Sequence, residues 1–182
     1  MNSEELILMA YQIGFDYQKK YHGCSQTTVA AIQDVLDVRN DIVFKAASGF
    51  SGGCGLMKDG ICGGYSGAIL VMSSFFGRQR KKIHNDRKNN FLSYEMAKKI
   101  RKKFIVSYGS IICKNIQCKA FGRSFDFWDP KEKELLEKAG AHDKISPSII
   151  GNSVSWAVEV ILEEIKKNNL NLKIIRQEIK SD

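Results

Sequence analysis

Proline is scarce, with two in 182 residues. So are long β-branched runs, and apolar residues recur at spacings of three and four. Together these exclude a strand-rich sandwich or barrel and point to helices. The longest apolar run, Tyr65 to Phe76, is too short to span a bilayer and contains three serines. The opening Met1-Asn2-Ser3-Glu4-Glu5 has neither the positive start nor the small-residue cleavage site of a secretory signal. No C-x-x-C occurs, which disfavours a zinc knuckle or a thioredoxin motif. No C-x-x-C-H occurs either, and the spacings miss both ferredoxin patterns. These absences lead to the expectation of a cytoplasmic protein with no membrane role. In that compartment the five cysteines are thiols, metal ligands or transient redox partners before they are structural disulfides.

A chain of this length is most often one domain with a real core. The expected fold is an all-α, single-domain bundle of about seven to eight helices, read from hydrophobic period and caps. The domain spans 1–168, and 169–182 is a charged tail or helix extension. The first helix runs from about Ser3 to Tyr21 with a stripe of Leu6, Ala10, Ile13 and Tyr17, and His22-Gly23 ends it. Ser25 is a plausible N-cap for the second helix, and Asn40 or Asp41 for the third. The fourth begins near Gly63 to Ser66 and is apolar nearly all round, so it is the central, buried helix. Ser93 caps a fifth helix that ends at Gly109. Asp129-Pro130 and Ser146-Pro147 start the last two.

The net charge of +8 is local. Positions 78–103 hold eleven Lys or Arg against Asp86 and Glu95, a net of +9 that leaves the rest of the chain at −1. The bland reading of such a segment is a solvated face. The sharper one is electrostatic steering of an acidic redox partner. Phe91 and Tyr94 interleave the charges, but no nucleic-acid signature accompanies them, so nucleic acid is disfavoured.

Eight of the fifteen glycines fall between Ala47 and Gly67, together with Cys54 and Cys62. So much glycine opposes a regular helix. Phe50, Leu56, Met57, Ile61 and Tyr65 oppose a flexible linker. The stretch reads as an ordered loop with positive φ angles that lets either a helix or a sulfur-held ligand come close. Gly55 to Gly60 has P-loop spacing, but Ile61-Cys62 follows where Lys-Ser/Thr is required, so a phosphate cradle is disfavoured.

Cys24, Cys62 and Cys113 fall near predicted element ends. A helix start next to Cys24 favours thiolate through the dipole. Cys113 and Cys118 lie about 140° apart on an ideal helix and share a ligand only if that segment is irregular. His22 is two residues from Cys24 and can be read as its base, as a ligand or as a helix-end residue. His84 and His142 read as surface residues, and Trp128 and Trp156 as core or helix-contact groups. Three readings of the cysteines stay open: small buried hydrophobes, metal ligands, or a dithiol couple.

Four segments, in order, resemble the C_GCAxxG_C_C family of redox-active proteins. Gly23-Cys24-Ser25-Gln26 resembles its Asn-Cys-Ala-Gln signature. Ala47 to Gly55 resembles its ASGFGGGMG segment. Ile61 to Ala68 resembles TCGALTGA, and Gly109 to Cys113 resembles GSLNC. The resemblance covers roughly residues 5 to 165. It implies that Cys24, Cys62 and Cys113 are redox-active thiols. The family's usual fourth cysteine, at the start of the last helix, has no counterpart in Ser148-Ile149-Ile150-Gly151-Asn152-Ser153. Cys54 or Cys118 is then the candidate fourth. A similar domain occurs in split-Soret cytochromes, which implies a [2Fe–2S] cluster on four thiolates. Gly53, Gly55, Gly63 and Gly64 are the candidate backbone cradle, since glycine lets amides approach sulfur. The expected function is cysteine-based redox chemistry with electron transfer through such a cluster. The alternatives are a cofactor-free thiol–disulfide oxidoreductase and a non-catalytic binding module with packing cysteines. The redox partner is unidentified, and the oligomeric state is open, with a homodimer among the options.

Overall fold

The computed structural model describes residues 2–170. The charged tail expected over 169–182 lies almost wholly outside them. The described residues form eight α-helices: α1 Ser3–Tyr21, α2 Cys24–Leu36, α3 Asp41–Ala46, α4 Gly63–Phe76, α5 Arg87–Tyr108, α6 Cys113–Phe121, α7 Pro130–Lys138 and α8 Ser146–Lys167. A five-residue π-helical turn, Ala141–Ile145, runs into α8. Extended pairing among the described residues is confined to one antiparallel bridge, Ile61 to Ile112. The all-α expectation holds.

Caps explain several boundaries. Asn2 accepts from the Glu5 amide and Glu5 bonds back, a complete capping box for α1. Asn40 accepts from the Ile42 and Val43 amides and starts α3. Asp129 caps α7, with Pro130 in its first turn.

Two expected caps are displaced. The second helix starts at Cys24, not after Ser25, because Gly23 at φ 71° makes the turn one residue earlier. The Ser25 hydroxyl instead donates to the Ala47 carbonyl at 2.7 Å, tying α2 to the start of the glycine loop. The fifth helix begins at Arg87, six residues before Ser93, whose hydroxyl bonds back to the Asn89 carbonyl inside the helix.

The bundle closes around α4, which carries buried Ala68, Val71, Met72 and Phe76. Its first turns have no bulk where they meet neighbours. A Cβ on Gly67 would sit 2.6 Å from the Ser25 carbonyl of α2, and one on Gly64 would sit 2.4 Å from the Ser153 hydroxyl of α8. Helices α1 and α8 approach by the same means: a Cβ on Gly14 would lie 2.7 Å from Val154, and one on Gly151 2.8 Å from the Tyr11 carbonyl. Between these contacts Ile32, Leu36, Met96, Ile100, Phe104 and Ile161 are fully buried, each worth about 1.5–3 kcal/mol of transfer free energy. Tyr65, Phe104, Tyr108 and Trp156 meet edge-on or tilted and fasten α5 to α4 and α8.

The basic segment divides. Lys99 pairs with Glu163 and the buried Glu164, and Lys103 with Glu159, so these two hold α5 to α8. Phe91 and Tyr94 are exposed on the outer face. By length and composition, 141–167 is the one described helical stretch able to cross a membrane, and 56% of its apolar window is buried inside the fold.

Gly67→Ala should cost about 1–3 kcal/mol, because the Ser25 carbonyl is backbone and cannot rotate away. Gly49→Ala, where an added Cβ meets nothing within 4 Å, should change stability by under about 0.5 kcal/mol. Urea midpoints of the two variants decide; equal midpoints would show that the α2–α4 spacing is not set by that glycine.

Candidate functional site

The glycine loop is a compact left-handed coil. Residues Gly52, Gly53, Cys54, Gly55 and Leu56 all have positive φ, and so does Lys58. Non-glycine residues rarely adopt this conformation, so Cys54, Leu56 and Lys58 are held there by the surrounding bonds. Those bonds run inward: the Gly55 amide to the Gly49 carbonyl at 2.7 Å, Lys58 to Gly52 at 2.9 Å, Gly60 to Gly53 at 3.1 Å. The Trp128 indole, otherwise exposed, donates to the Gly55 carbonyl at 3.1 Å and covers the coil from outside. Trp128 is therefore not a core residue, because its polar edge has a surface carbonyl to serve.

The loop then pairs with the segment before α6. The Cys62 amide donates to Ile111 at 2.7 Å, Cys113 to Gly60 at 3.0 Å and Lys114 to Lys58 at 2.8 Å. This bridge places Cys62, the residue capping α4, beside Cys113, the first residue of α6. Cys24 opens α2 and completes the group. A Cβ on Gly63 would fall 2.2 Å from the Cys24 sulfur, and one on Gly53 2.8 Å from the Cys113 Cβ. What the glycines admit is thus α2 and α6, each arriving with a cysteine. Three helix N-termini meet, each marked by a thiol.

Cys24, Cys62 and Cys113 line one cavity of about 510 Å³. All five cysteines are free thiols, with Cys62 buried and Cys118 exposed. Cys118 lies on the regular helix α6, and Cys54 lies off the cavity wall, close enough to Cys113 for their charges to interact. Of the four expected cradle glycines, Gly53 and Gly63 touch the cysteine positions. Gly64 abuts Ser153, and Gly55 has no neighbour where its Cβ would be.

Donors point at the sulfurs. The Gly52 amide and the Gln117 side-chain amide lie 3.4 Å from the sulfurs of Cys24 and Cys113. The amides of Gly64 and Tyr65 serve Cys62. Burial nevertheless dominates. It pushes all three thiols up, Cys113 to about 11, with the nearby sulfurs adding to the rise at Cys62 and Cys113. Burial at Cys24 works against the thiolate expected there from the helix dipole and outweighs the hydrogen bonds from Gly52, Ser51, Gly63 and Ser25. Among the described residues no three His, Cys, Asp or Glu side chains are already gathered as a metal site.

The cavity continues to a polar mouth. His142 packs edge-on against His22, ring centres 4.2 Å apart, and lies 2.6 Å from the Glu137 carboxylate. His142 is therefore a cavity residue and not an isolated surface one. Burial and His142 hold His22 below the ordinary histidine range. Gln117 and the Glu137–His142 pair were missed in the sequence. Reading 113–121 as helix would have put Gln117 one turn after Cys113; nothing local points to the pair, which joins α7 to the π-helical turn.

A family model described as "Putative redox-active protein (C_GCAxxG_C_C)" matches residues 22–160, well over half of the chain. No curated protein and no solved structure matches it.

A thiol whose pKa is raised by folding favours the folded state below its unfolded value near 9, and this support is lost as pH rises through the folded value. The reduced, metal-free protein should therefore lose stability between about pH 9 and 11, and Cys113→Ala should lose less over that window. Urea midpoints of both proteins across the range check this; parallel curves would remove Cys113 as a source.

Proposed function

This chain belongs to the C_GCAxxG_C_C family, described as redox-active, and from that premise we propose that Cys24, Cys62 and Cys113 form its redox centre as thiolate ligands of an iron–sulfur cluster. The observation that carries the reading is the meeting of three helix N-termini, each with a cysteine, on one cavity. Backbone and side-chain amides directed at those sulfurs are what anionic sulfur requires.

The donor chemistry fits in kind and is one thiol short in number on the cavity wall. Cys54 is the better candidate for the fourth, since its charge reaches Cys113, whereas Cys118 is exposed. The three thiols are not yet gathered at ligand distances, so loading draws them together. Each gives up its proton on binding, which offsets the burial that keeps them neutral in the free protein. Gly53 and Gly63 keep the two approach paths clear, and the donors of Gly52 and Gln117 share the negative charge. When bound, a [2Fe–2S] group supplies one-electron transfer at a potential set by such hydrogen bonds.

Anaerobic reconstitution with iron and sulfide should yield about two irons per chain and visible absorbance. Cys24→Ala, Cys62→Ala and Cys113→Ala should each abolish loading, Cys54→Ala should impair it, and Cys118→Ala should leave it intact. A protein that stays colourless and iron-free after reconstitution sinks the cluster. Loading that ignores the three cavity cysteines sinks the assignment of ligands.

A further inference from the structure

Most of the basic segment is not used by the fold. Of its eleven cations, Lys99 and Lys103 pair with α8; the other nine are exposed and form no ion pair with a described residue. Two acids share the segment. The Asp86 carboxylate accepts from the Gln79 amide at 3.3 Å and the Asn89 side chain at 3.2 Å, which closes the turn before α5, and Glu95 is exposed. Nine cations against two carboxylates leave +7 on this surface.

The charge is patterned. Arg87, Phe91, Tyr94, Lys98 and Arg101 follow one another at intervals of four and three on α5, so they fall within about 80° on one side of the helix, over about 21 Å of its length. All five are exposed, and the turn Arg80–Lys82 just before α5 adds three more exposed cations. Exposed apolar groups scattered singly need no explanation. Here Phe91 and Tyr94 touch edge-on, ring centres 5.8 Å apart and each more than half exposed, inside a cationic stripe, with Ile83 half exposed on the preceding turn.

The stripe stands apart from the thiols. The Tyr65 hydroxyl, near the Cys62 end of α4, donates to the Ala97 carbonyl at 3.4 Å. Arg87 lies ten residues before Ala97, about 15 Å further along α5, where the connection from the other end of α4 arrives. None of these residues lines the cysteine cavity.

We infer that this face docks on a bilayer surface rich in anionic lipid, with the cations at the headgroup phosphates and Phe91 and Tyr94 at the boundary between headgroups and acyl chains. An acidic protein is a poorer match, since lysine is depleted at the centre of protein interfaces. Single-stranded nucleic acid is bound in a cationic groove, whereas this stripe is the outer ridge of a helix, and Ile83 has no ring to stack on a base. A lipid interface takes all three parts: phosphates for Lys and Arg, a headgroup layer for Tyr94, hydrocarbon for Phe91. The expectation of no membrane role came from the lack of a spanning run and of a secretory signal, and a peripheral contact needs neither.

The test uses the full chain, reduced and metal-free, sedimented with vesicles of phosphatidylcholine alone or mixed with phosphatidylglycerol. Only the mixed vesicles should carry the protein down, and high salt should release it. Lys81→Gln with Lys82→Gln should weaken binding about tenfold or more, and Phe91→Ala about fivefold at unchanged charge. Lys131→Gln with Lys144→Gln, an equal loss of charge at exposed positions of α7 and the π-helical turn, should leave binding as it was. In Phe91→Trp, brominated acyl chains should quench emission beyond any quenching of Trp128 and Trp156 in the parent. Equal binding to neutral vesicles, an equal loss in the Lys131 and Lys144 variant, no effect of Phe91→Ala, or no added quenching each overturns the inference. Tighter binding to polyuridylate or to polyglutamate than to the mixed vesicles assigns the face to nucleic acid or to an acidic protein and overturns it too.

Discussion

Everything at the site depends on how closely helix α4 can approach α2 and α8. Gly63, Gly64 and Gly67 occupy one end of α4, and each is pressed against a neighbour's atoms at distances no side chain would allow. A Cβ at Gly63 would overlap the Cys24 sulfur itself. Since Cys62 immediately precedes this glycine face, the contact that seats α4 also sets Cys62 beside Cys24. The core and the thiol cluster are thus one packing problem: separating α2 from α4 would open the hydrophobic centre and pull the sulfurs apart together.

The third sulfur is delivered by different physics. Cys113 is brought in by backbone pairing between the end of the glycine coil and the stretch before α6, through bonds at Cys62, Cys113 and Lys114. Such a bridge tolerates changes in side chain but not in register, because a slip of one residue would turn Cys113 away from Cys62. The left-handed coil from Gly52 to Leu56 is what returns the chain to that register within a few residues. Its non-glycine positive-φ residues, Cys54 and Leu56, show that the path, not local preference, decides the conformation there.

The helices were largely legible in the sequence because they rest on local rules. Asn40, Asp129 and Gly109 each act through atoms within a few residues, and the buried face of α4 is continuous in the chain. The displaced start of α2 marks where a tertiary bond outcompetes a local cap, since the Ser25 hydroxyl goes to Ala47, 22 residues away; Ser93 instead bonds one turn back inside a helix already begun. The family motifs identified the three cysteines, and spacing alone could not show that they converge. The cavity's mouth was not legible at all, because His22, Lys133 and His142 come from three elements that share no pattern. The dipole argument at Cys24 is incomplete for a related reason. The dipole is a property of one helix, but the burial that outweighs it is a property of the assembled bundle.

The missing fourth cysteine links the two halves of the site. The stretch where the resemblance leads one to expect it, Ser148 to Ser153, carries Ile149 and Ile150, and both line the cavity. These two isoleucines give that wall carbon surface with no polar side-chain group to satisfy. Ser153, one turn further, keeps its hydroxyl on the Ile149 carbonyl and leaves Gly64 its close seat on α8. The stretch thus combines a carbon wall on the cavity with the close α4–α8 contact that positions Cys62. Cys54, on the glycine coil, is near enough to Cys113 for their charges to interact, while the isoleucine side of the cavity presents carbon.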